Sequence, residues 1–201
     1  MRRLPVYLVL DVSGSMLGEA MEAVRTGLQS LLAALRQDPY ALESAWLSVI
    51  TFNEQARQVV PLTELSQFQV PPISASGTTS LGAALKLLAE RIHVEVTKTT
   101  PQQKGDWKPV VFLMTDGRST DTVQAGIDAI KAARVGTFVA CAAGADADTT
   151  DLKRITESVV SLDTADSNTI KAFFKWVSAS ISTTSQKVDL SKKDLAGLGD
   201  L

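Results

Sequence analysis

The chain has 201 residues, of which 45% are hydrophobic, and its formal net charge is −2 with an isoelectric point near 5.5. This length is typical of one domain and allows a hydrophobic core that needs no crosslinks. The weakly acidic balance argues against nucleic acid or an anionic membrane as the partner, since both attract positively charged surfaces. Cys141 is the only cysteine, which excludes an internal disulfide and a cysteine-rich zinc site. The apolar run that starts at Leu4 is too short for a signal peptide or a membrane span, so we expect a cytoplasmic protein.

Strand and helix patterns alternate along the chain. Short apolar runs rich in β-branched and aromatic residues predict strands over residues 4–10, 45–52, 56–61, 110–114, 136–142 and 158–162. Apolar residues at helical spacing predict helices over residues 19–36, 79–97, 121–134 and 150–156, and a last helix capped by Asp166. Residues 185–201 form a polar tail without clear periodicity, so the predicted domain covers residues 1–184.

This alternation predicts an α/β fold. Most of the strand runs are apolar on both faces, which is typical of a mainly parallel sheet with helices packed on both sides. The second and third strands are separated only by a short turn near Asn53-Glu54, which favours a hairpin and one antiparallel strand at the sheet edge.

Polar residues follow two of the predicted strands and begin one helix. Asp11, Ser13 and Ser15 come after the first strand, and Asp116 comes after the fourth. The segment Gly77-Thr78-Thr79-Ser80 stands at the start of the helix between them. Ligands in open α/β sheets bind at the carboxyl ends of the strands, so we expect these segments to meet there.

Carboxylate and hydroxyl oxygens are ligands that suit Mg²⁺, with Mn²⁺ or Ca²⁺ as alternatives, rather than Zn²⁺ or Cu²⁺. Gly14 allows the chain to curl so that the hydroxyls of Ser13 and Ser15 face one point. Because those hydroxyls are neutral, the positive charge of the cation would be poorly compensated at close range if both aspartates contact it through water. A Glu or Asp of a partner protein is then the natural last ligand.

At these residues the chain resembles the von Willebrand factor A (VWA) domain family. The family's metal-ion-dependent adhesion site is written D-x-S-x-S, then a Thr, then an Asp. Asp11, Ser13 and Ser15 match the first element, Thr79 is preferred over Thr78 as the Thr, and Asp116 matches the last. The resemblance covers about residues 4 to 183. It implies a Rossmann-like fold, metal-dependent binding of a partner's acidic residue, and no catalytic residues.

The chain is also similar to small bacterial VWA proteins associated with tellurite resistance. The similarity lies in residues 76–85 and in the segment Phe173-Phe174-Lys175-Trp176-Val177-Ser178. It implies a role in a stress-response or signalling complex that contains a protein kinase and a phosphatase.

The same residues leave two other functions open. The first is a Mg²⁺-dependent phosphoryl-transfer enzyme of the haloacid dehalogenase type, with Asp11 as nucleophile. That motif needs a second Asp two residues later as general acid, and Ser13 at that position does not shuttle protons near neutral pH. The second is a scaffold in which the metal serves stability alone. His93, the only histidine, is expected to have a structural role.

Overall fold

The computed structural model describes the backbone of residues 2–196 and the side chains of residues 2–188. The strands are β1 (Leu4–Asp11), β2 (Ala45–Phe52), β3 (Ala56–Glu64), β4 (Val110–Thr115), β5 (Thr137–Ala143) and β6 (Val159–Leu162). The helices are α1 (Glu19–Arg36), α2 (Pro39–Ser44), α3 (Leu81–Glu95), α4 (Gln124–Ala132), α5 (Thr150–Ile155) and α6 (Ser167–Ala196), with a short 3-10 helix over Gly14–Met16.

The strands form one six-stranded sheet in the order β3-β2-β1-β4-β5-β6. Every neighbouring pair is parallel except β2 and β3, which are antiparallel. The α/β fold and the antiparallel edge strand predicted from the sequence are therefore confirmed. β1 lies between β2 and β4, so the carboxyl ends of β1 and β4 lie side by side.

Two hydrophobic layers cover the faces of the sheet. Alternate residues of β1 point to opposite faces, as the pleat of a strand requires. Leu8 and Leu10 belong to the layer that contains α1 and α6. Tyr7 and Val9 belong to the layer that contains α3 and α4. With both faces buried, β1 is held rigidly from end to end, and so is the side chain at its carboxyl end.

Helix α2 was not predicted, although the residues that start it were noticed. Asp38-Pro39 ends the pattern of α1, but it also begins a new helix. The Asp38 carboxylate accepts hydrogen bonds from the backbone N–H of Tyr40 at 2.9 Å and of Ala41 at 3.4 Å. Pro39 occupies the first turn, where its missing N–H is not needed. The same dipeptide therefore stops one helix and caps the next.

Helix α6 continues past the position where the polar tail was predicted to begin. It runs from Ser167 to Ala196, so residues 185–196 are helical although they lack a clear apolar repeat. Ser185 is fully buried and Val188 is nearly so, which places this turn of the helix against the domain. The rest of the predicted tail, residues 197–201, lies outside the described residues. None of the helices within residues 2–196 combines the length and hydropathy that a membrane span requires.

Candidate metal centre

Two loops meet beyond the carboxyl end of β1. The backbone N–H of Gly14 donates to the carbonyl of Gly77 at 2.9 Å, and the N–H of Ser76 donates to the carbonyl of Val12 at 2.8 Å. Gly77 has a φ of +76°, and a Cβ at this position would lie 2.9 Å from Oε1 of Glu54. Glycine at position 77 therefore permits this left-handed turn beside Glu54, and the two backbone hydrogen bonds bring two of the predicted motifs together.

Asp11 is buried and held from two sides. Its Oδ1 accepts a hydrogen bond from the backbone N–H of Ser13 at 2.7 Å. Its Oδ2 accepts a hydrogen bond from the hydroxyl of Thr115 at 2.6 Å. Only 1% of Asp11 and 2% of Thr115 is exposed to solvent. Because both oxygens already accept a hydrogen bond, the carboxylate has a fixed orientation at the sheet edge.

A chain of polar contacts extends from Ser13 to Asp116. The hydroxyl oxygens of Ser13 and Ser15 are 3.1 Å apart, and the Ser15 hydroxyl donates to Oδ1 of Asp116 at 2.8 Å. Ser13 is buried, Asp116 is half-buried and Ser15 is exposed, so the cluster opens towards solvent on the Ser15 side. The structure thus brings four of the five predicted site residues into one hydrogen-bonded cluster.

The fifth residue, Thr79, lies at the edge of this cluster. Its backbone is clamped by Thr120, whose N–H donates to the Thr79 carbonyl at 2.7 Å and whose hydroxyl accepts from the Thr79 N–H at 3.2 Å. A Cβ at Gly117 would lie 4.0 Å from the Thr79 hydroxyl oxygen, so this hydroxyl faces the loop that carries Asp116. Thr78, the alternative considered for the same position, is exposed.

The cluster contains two carboxylates, Asp11 and Asp116, that lie close enough to repel each other. Burial raises the pKa of Asp116, and the nearby Asp11 carboxylate raises it further, against the hydrogen bond donated by Ser15. Among residues 2–188, neither carboxylate forms an ion pair with Lys, Arg or His. No three His, Cys, Asp or Glu side chains converge in the described part of the chain. A cation here would therefore need the hydroxyl oxygens as ligands.

Sequence reasoning gave no role to three residues that shape this site. Thr115 donates to Asp11, and Thr120 clamps Thr79. Asp121 accepts hydrogen bonds from the backbone N–H of Gly82 and of Ala83, both at 2.8 Å, and so caps the start of α3. All three lie at or just after the end of β4. A run of hydroxyl and carboxylate residues there was visible in the sequence, but its partners were not.

The chain is similar to a known protein family and to a known protein. The sequence pattern of the von Willebrand factor type A domain matches residues 6–176. An uncharacterised protein of Synechocystis sp., sll0103, is 30% identical over 125 residues, which cover 59% of this chain and 26% of that protein. The chain therefore spans about a quarter of the length of this relative.

Solved structures share the fold at low sequence identity. A von Willebrand factor type A protein from Catenulispora acidiphila has a TM-score of 0.66 at 21% identity, over 90% of this chain and 43% of that one. Proximal thread matrix protein 1 from the mussel byssus, with a zinc-occupied MIDAS motif, has a TM-score of 0.63 at 17% identity, over 92% and 46%. The sequence match over residues 6–176 and the shared architecture show that the chain belongs to the von Willebrand factor type A domain family.

Proposed function

We propose that Asp11, Ser13, Ser15, Thr79 and Asp116 hold one divalent cation, Mg²⁺, which captures an acidic residue of a partner protein. The observation that carries this proposal is the cluster of hydroxyls and carboxylates at the sheet edge, whose carboxylates form no ion pair among residues 2–188. Its oxygens are the donor types that Mg²⁺ prefers, and one side is open to an outside ligand.

The spacing of the oxygens fits an octahedral ion. Mg²⁺ binds oxygen at about 2.0–2.1 Å, so neighbouring ligands of an octahedron are about 2.9 Å apart. The Ser13 and Ser15 hydroxyl oxygens are 3.1 Å apart, and the Ser15 hydroxyl oxygen is 2.8 Å from Oδ1 of Asp116. These side chains therefore need little movement to become neighbouring ligands. Mn²⁺ and Ca²⁺ suit the same oxygens, and the mussel relative carries zinc in the corresponding motif.

The position of Asp11 supports an acidic ligand from outside. Each of its oxygens already accepts one hydrogen bond, from Ser13 and from Thr115, which favours contact with the cation through water. The direct protein ligands are then mostly neutral hydroxyls. A carboxylate from the partner restores the missing negative charge, and the exposed side of Ser15 gives it access.

The enzyme alternative finds no support in the geometry. A nucleophilic Asp11 would need an accessible oxygen, yet Asp11 is 1% exposed and both oxygens are engaged. A general acid is also needed, and the residue two positions later is Ser13. His93 stands in the last turn of α3, at the end of that helix remote from Thr79, and cannot serve the cluster. We therefore propose a binding module without turnover.

The biological setting is a further part of the proposal. Similarity to the tellurite-resistance-associated group suggests a bacterial stress-response complex, with a kinase or a phosphatase as partner, in the cytoplasm. The resemblance in residues 76–85 and 173–178 supports this part of the proposal.

Metal binding and partner capture can be tested together. Calorimetry should show that Mg²⁺ binds the wild-type chain at one site and fails to bind Ser13→Ala. Ser48→Ala is the matched control, because Ser48 is a buried serine within β2 and donates to the Val60 carbonyl at 2.8 Å. The wild-type chain should also retain a partner from lysate in Mg²⁺ and release it in EDTA. Retention that is equal in EDTA contradicts the proposal, as does Mg²⁺-dependent hydrolysis of an aryl phosphate that is lost in Asp11→Asn.

A further inference from the structure

A cavity lies at the amino ends of the parallel strands, at the opposite edge of the sheet from the metal centre. Its volume is about 620 Å³, which is within the usual range of small-molecule sites. The walls come from the end of α3, the segment before β4 and the residues after α4. Ile92, Val96 and Pro109 give these walls an apolar part. The cavity uses none of the residues of the metal centre.

Three positively charged side chains from three separate segments line this cavity. Lys98 follows α3, Lys108 precedes β4 and Arg134 follows α4. None of the three has an ion pair or a side-chain hydrogen bond within residues 2–188. The acidic residue in the lining, Asp106, is already paired with Arg3 at 2.6 Å. Three positively charged side chains therefore line the cavity without an acidic partner among residues 2–188.

The ends of α3 and α4 offset only part of this charge. Each helix ends at the cavity with a partial negative charge of about half an elementary charge. Two such ends cancel roughly one of the three positive charges. The remaining excess favours a ligand with one or two negative charges.

The backbone at Arg134 has an unusual conformation. Its φ is +56°, and it is the only residue other than glycine with a positive φ in the described part of the chain. Arg134 directly follows Ala133, the C-cap of α4. Glycine is the usual residue at the position after a C-cap, because a Cβ is unfavourable in this left-handed conformation. The chain places a long cation there instead, and this cation lines the cavity.

Trp107 contributes its indole ring to the same wall. Its indole Nε1–H is buried and has no acceptor within the described protein. The guanidinium of Arg2 lies 3.7 Å from the centroid of its ring and holds the ring in place. The ring is therefore a fixed aromatic part of the wall, and its N–H signal can report on a ligand that binds beside the ring.

We propose that this cavity binds a small organic anion, with a phosphate or carboxylate group carried on an apolar body. The anionic group pairs with Lys98, Lys108 and Arg134, and the apolar body packs on the aliphatic wall. This site is separate from the metal centre and does not depend on its function.

Nuclear magnetic resonance can test the site directly. The chain has three tryptophans, so the indole N–H signal of Trp107 can be assigned with Trp107→Phe. The titrants are phenyl phosphate, benzoate and benzyl alcohol, in buffer without divalent cations so that the metal centre does not compete. We expect a saturable shift of the Trp107 signal with phenyl phosphate, weaker binding of benzoate and none of benzyl alcohol. Added salt should weaken the binding. The absence of a saturable shift, or an equal response to benzyl alcohol, overturns the proposal.

A matched pair of double variants tests the role of charge. Lys98→Gln/Lys108→Gln should weaken phenyl phosphate binding about tenfold or more. Lys171→Gln/Lys175→Gln removes the same charge from α6, on the other face of the sheet, and should leave binding unchanged. Equal losses in the two double variants overturn the proposal.

Arg134→Gly separates binding from folding. Glycine relieves the left-handed backbone, so the melting temperature should stay the same or rise while phenyl phosphate binding weakens. If the variant binds phenyl phosphate as tightly as the wild-type chain, Arg134 takes no part in the site and the proposal fails as stated.

Discussion

Replacing Thr115 with valine removes the short hydrogen bond to Asp11 at the metal centre, together with a longer one that the hydroxyl accepts from the Gly117 N–H at 3.4 Å. Valine keeps the branched shape of the side chain but removes the hydroxyl that donates to Oδ2 of Asp11 at 2.6 Å. Thr115 is 2% exposed, so water cannot readily replace the lost donor. A hydrogen bond to a charged group contributes about 1.5–3 kcal/mol, and we expect a loss of this size in the free energy of unfolding.

The same substitution should weaken metal binding. Residues that orient the ligands of a metal typically change its affinity by about 10- to 100-fold, which corresponds to roughly 1.4–2.7 kcal/mol. We expect Thr115→Val to fall in this range because Asp11 becomes free to rotate. Calorimetric titration with Mg²⁺ measures the affinity, and urea denaturation with and without Mg²⁺ measures the stability.

Ser48→Ala again provides the control. Ser48 is also fully buried, and its hydroxyl also donates a short hydrogen bond, but to the Val60 carbonyl within the β2–β3 pair. It should lower the stability without changing the Mg²⁺ affinity. If the folded Thr115→Val variant binds Mg²⁺ as tightly as the wild-type chain does, then the orientation of Asp11 by Thr115 does not contribute to metal binding, and the reasoning is refuted. Equal losses of affinity in both variants would mean that global stability, rather than Asp11, sets the affinity.

Three further substitutions probe interactions that stabilise the fold. Gly27→Ala would place a Cβ 2.4 Å from Cδ2 of Phe174, so urea denaturation should show a loss of about 1–3 kcal/mol, partly restored by adding Phe174→Leu; an unchanged stability would refute tight α1–α6 packing. Asp121→Ala removes the cap of α3 and should lower stability by about 0.5–2 kcal/mol and the melting temperature by a few degrees; no change would show that the cap is dispensable. Burial raises the pKa of Asp106, but hydrogen bonds, chiefly from Arg3, outweigh this and hold it below its usual value. A lowered pKa in the folded state means that Asp106 stabilises the fold above the ordinary pKa and loses this effect as the pH falls through the lowered one. Asp106→Asn should therefore be less stable than the wild-type chain at pH 7, and the gap should close in acid; a gap independent of pH would contradict this.

The sheet could be predicted because its signals are local. Each strand is a short apolar run, and the turn at Asn53-Glu54 indicated the antiparallel hairpin that the structure contains. The helix α2 and the 3-10 helix over Gly14–Met16 were missed because they are short. Their stability comes from a cap and from contacts with distant loops, rather than from an apolar repeat of their own.

The candidate site could likewise be predicted only in part from the sequence. Motif positions at the ends of β1 and β4 could be placed from the sequence, because parallel strands end at a common edge. The contacts of Thr115 and Asp121 could not be predicted, because their partners, the Asp11 carboxylate and the Gly82 N–H, lie 104 and 39 residues away in the sequence. The cavity at the opposite edge was missed for the same reason, since Lys98, Lys108 and Arg134 come from three segments that only the fold brings together.

The long separation between Asp11 and Thr115 also bears on the order of folding. β1 pairs with β2 across about 40 residues of chain, but it meets β4 only after a loop of about one hundred residues has closed. The metal centre is therefore complete only when the central strands have assembled, and partly folded chains lack it. A cation that binds only the finished domain stabilises it without stabilising the transition state for folding. We expect Mg²⁺ to leave the refolding rate unchanged and to slow unfolding, so that it extends the lifetime of each folded molecule.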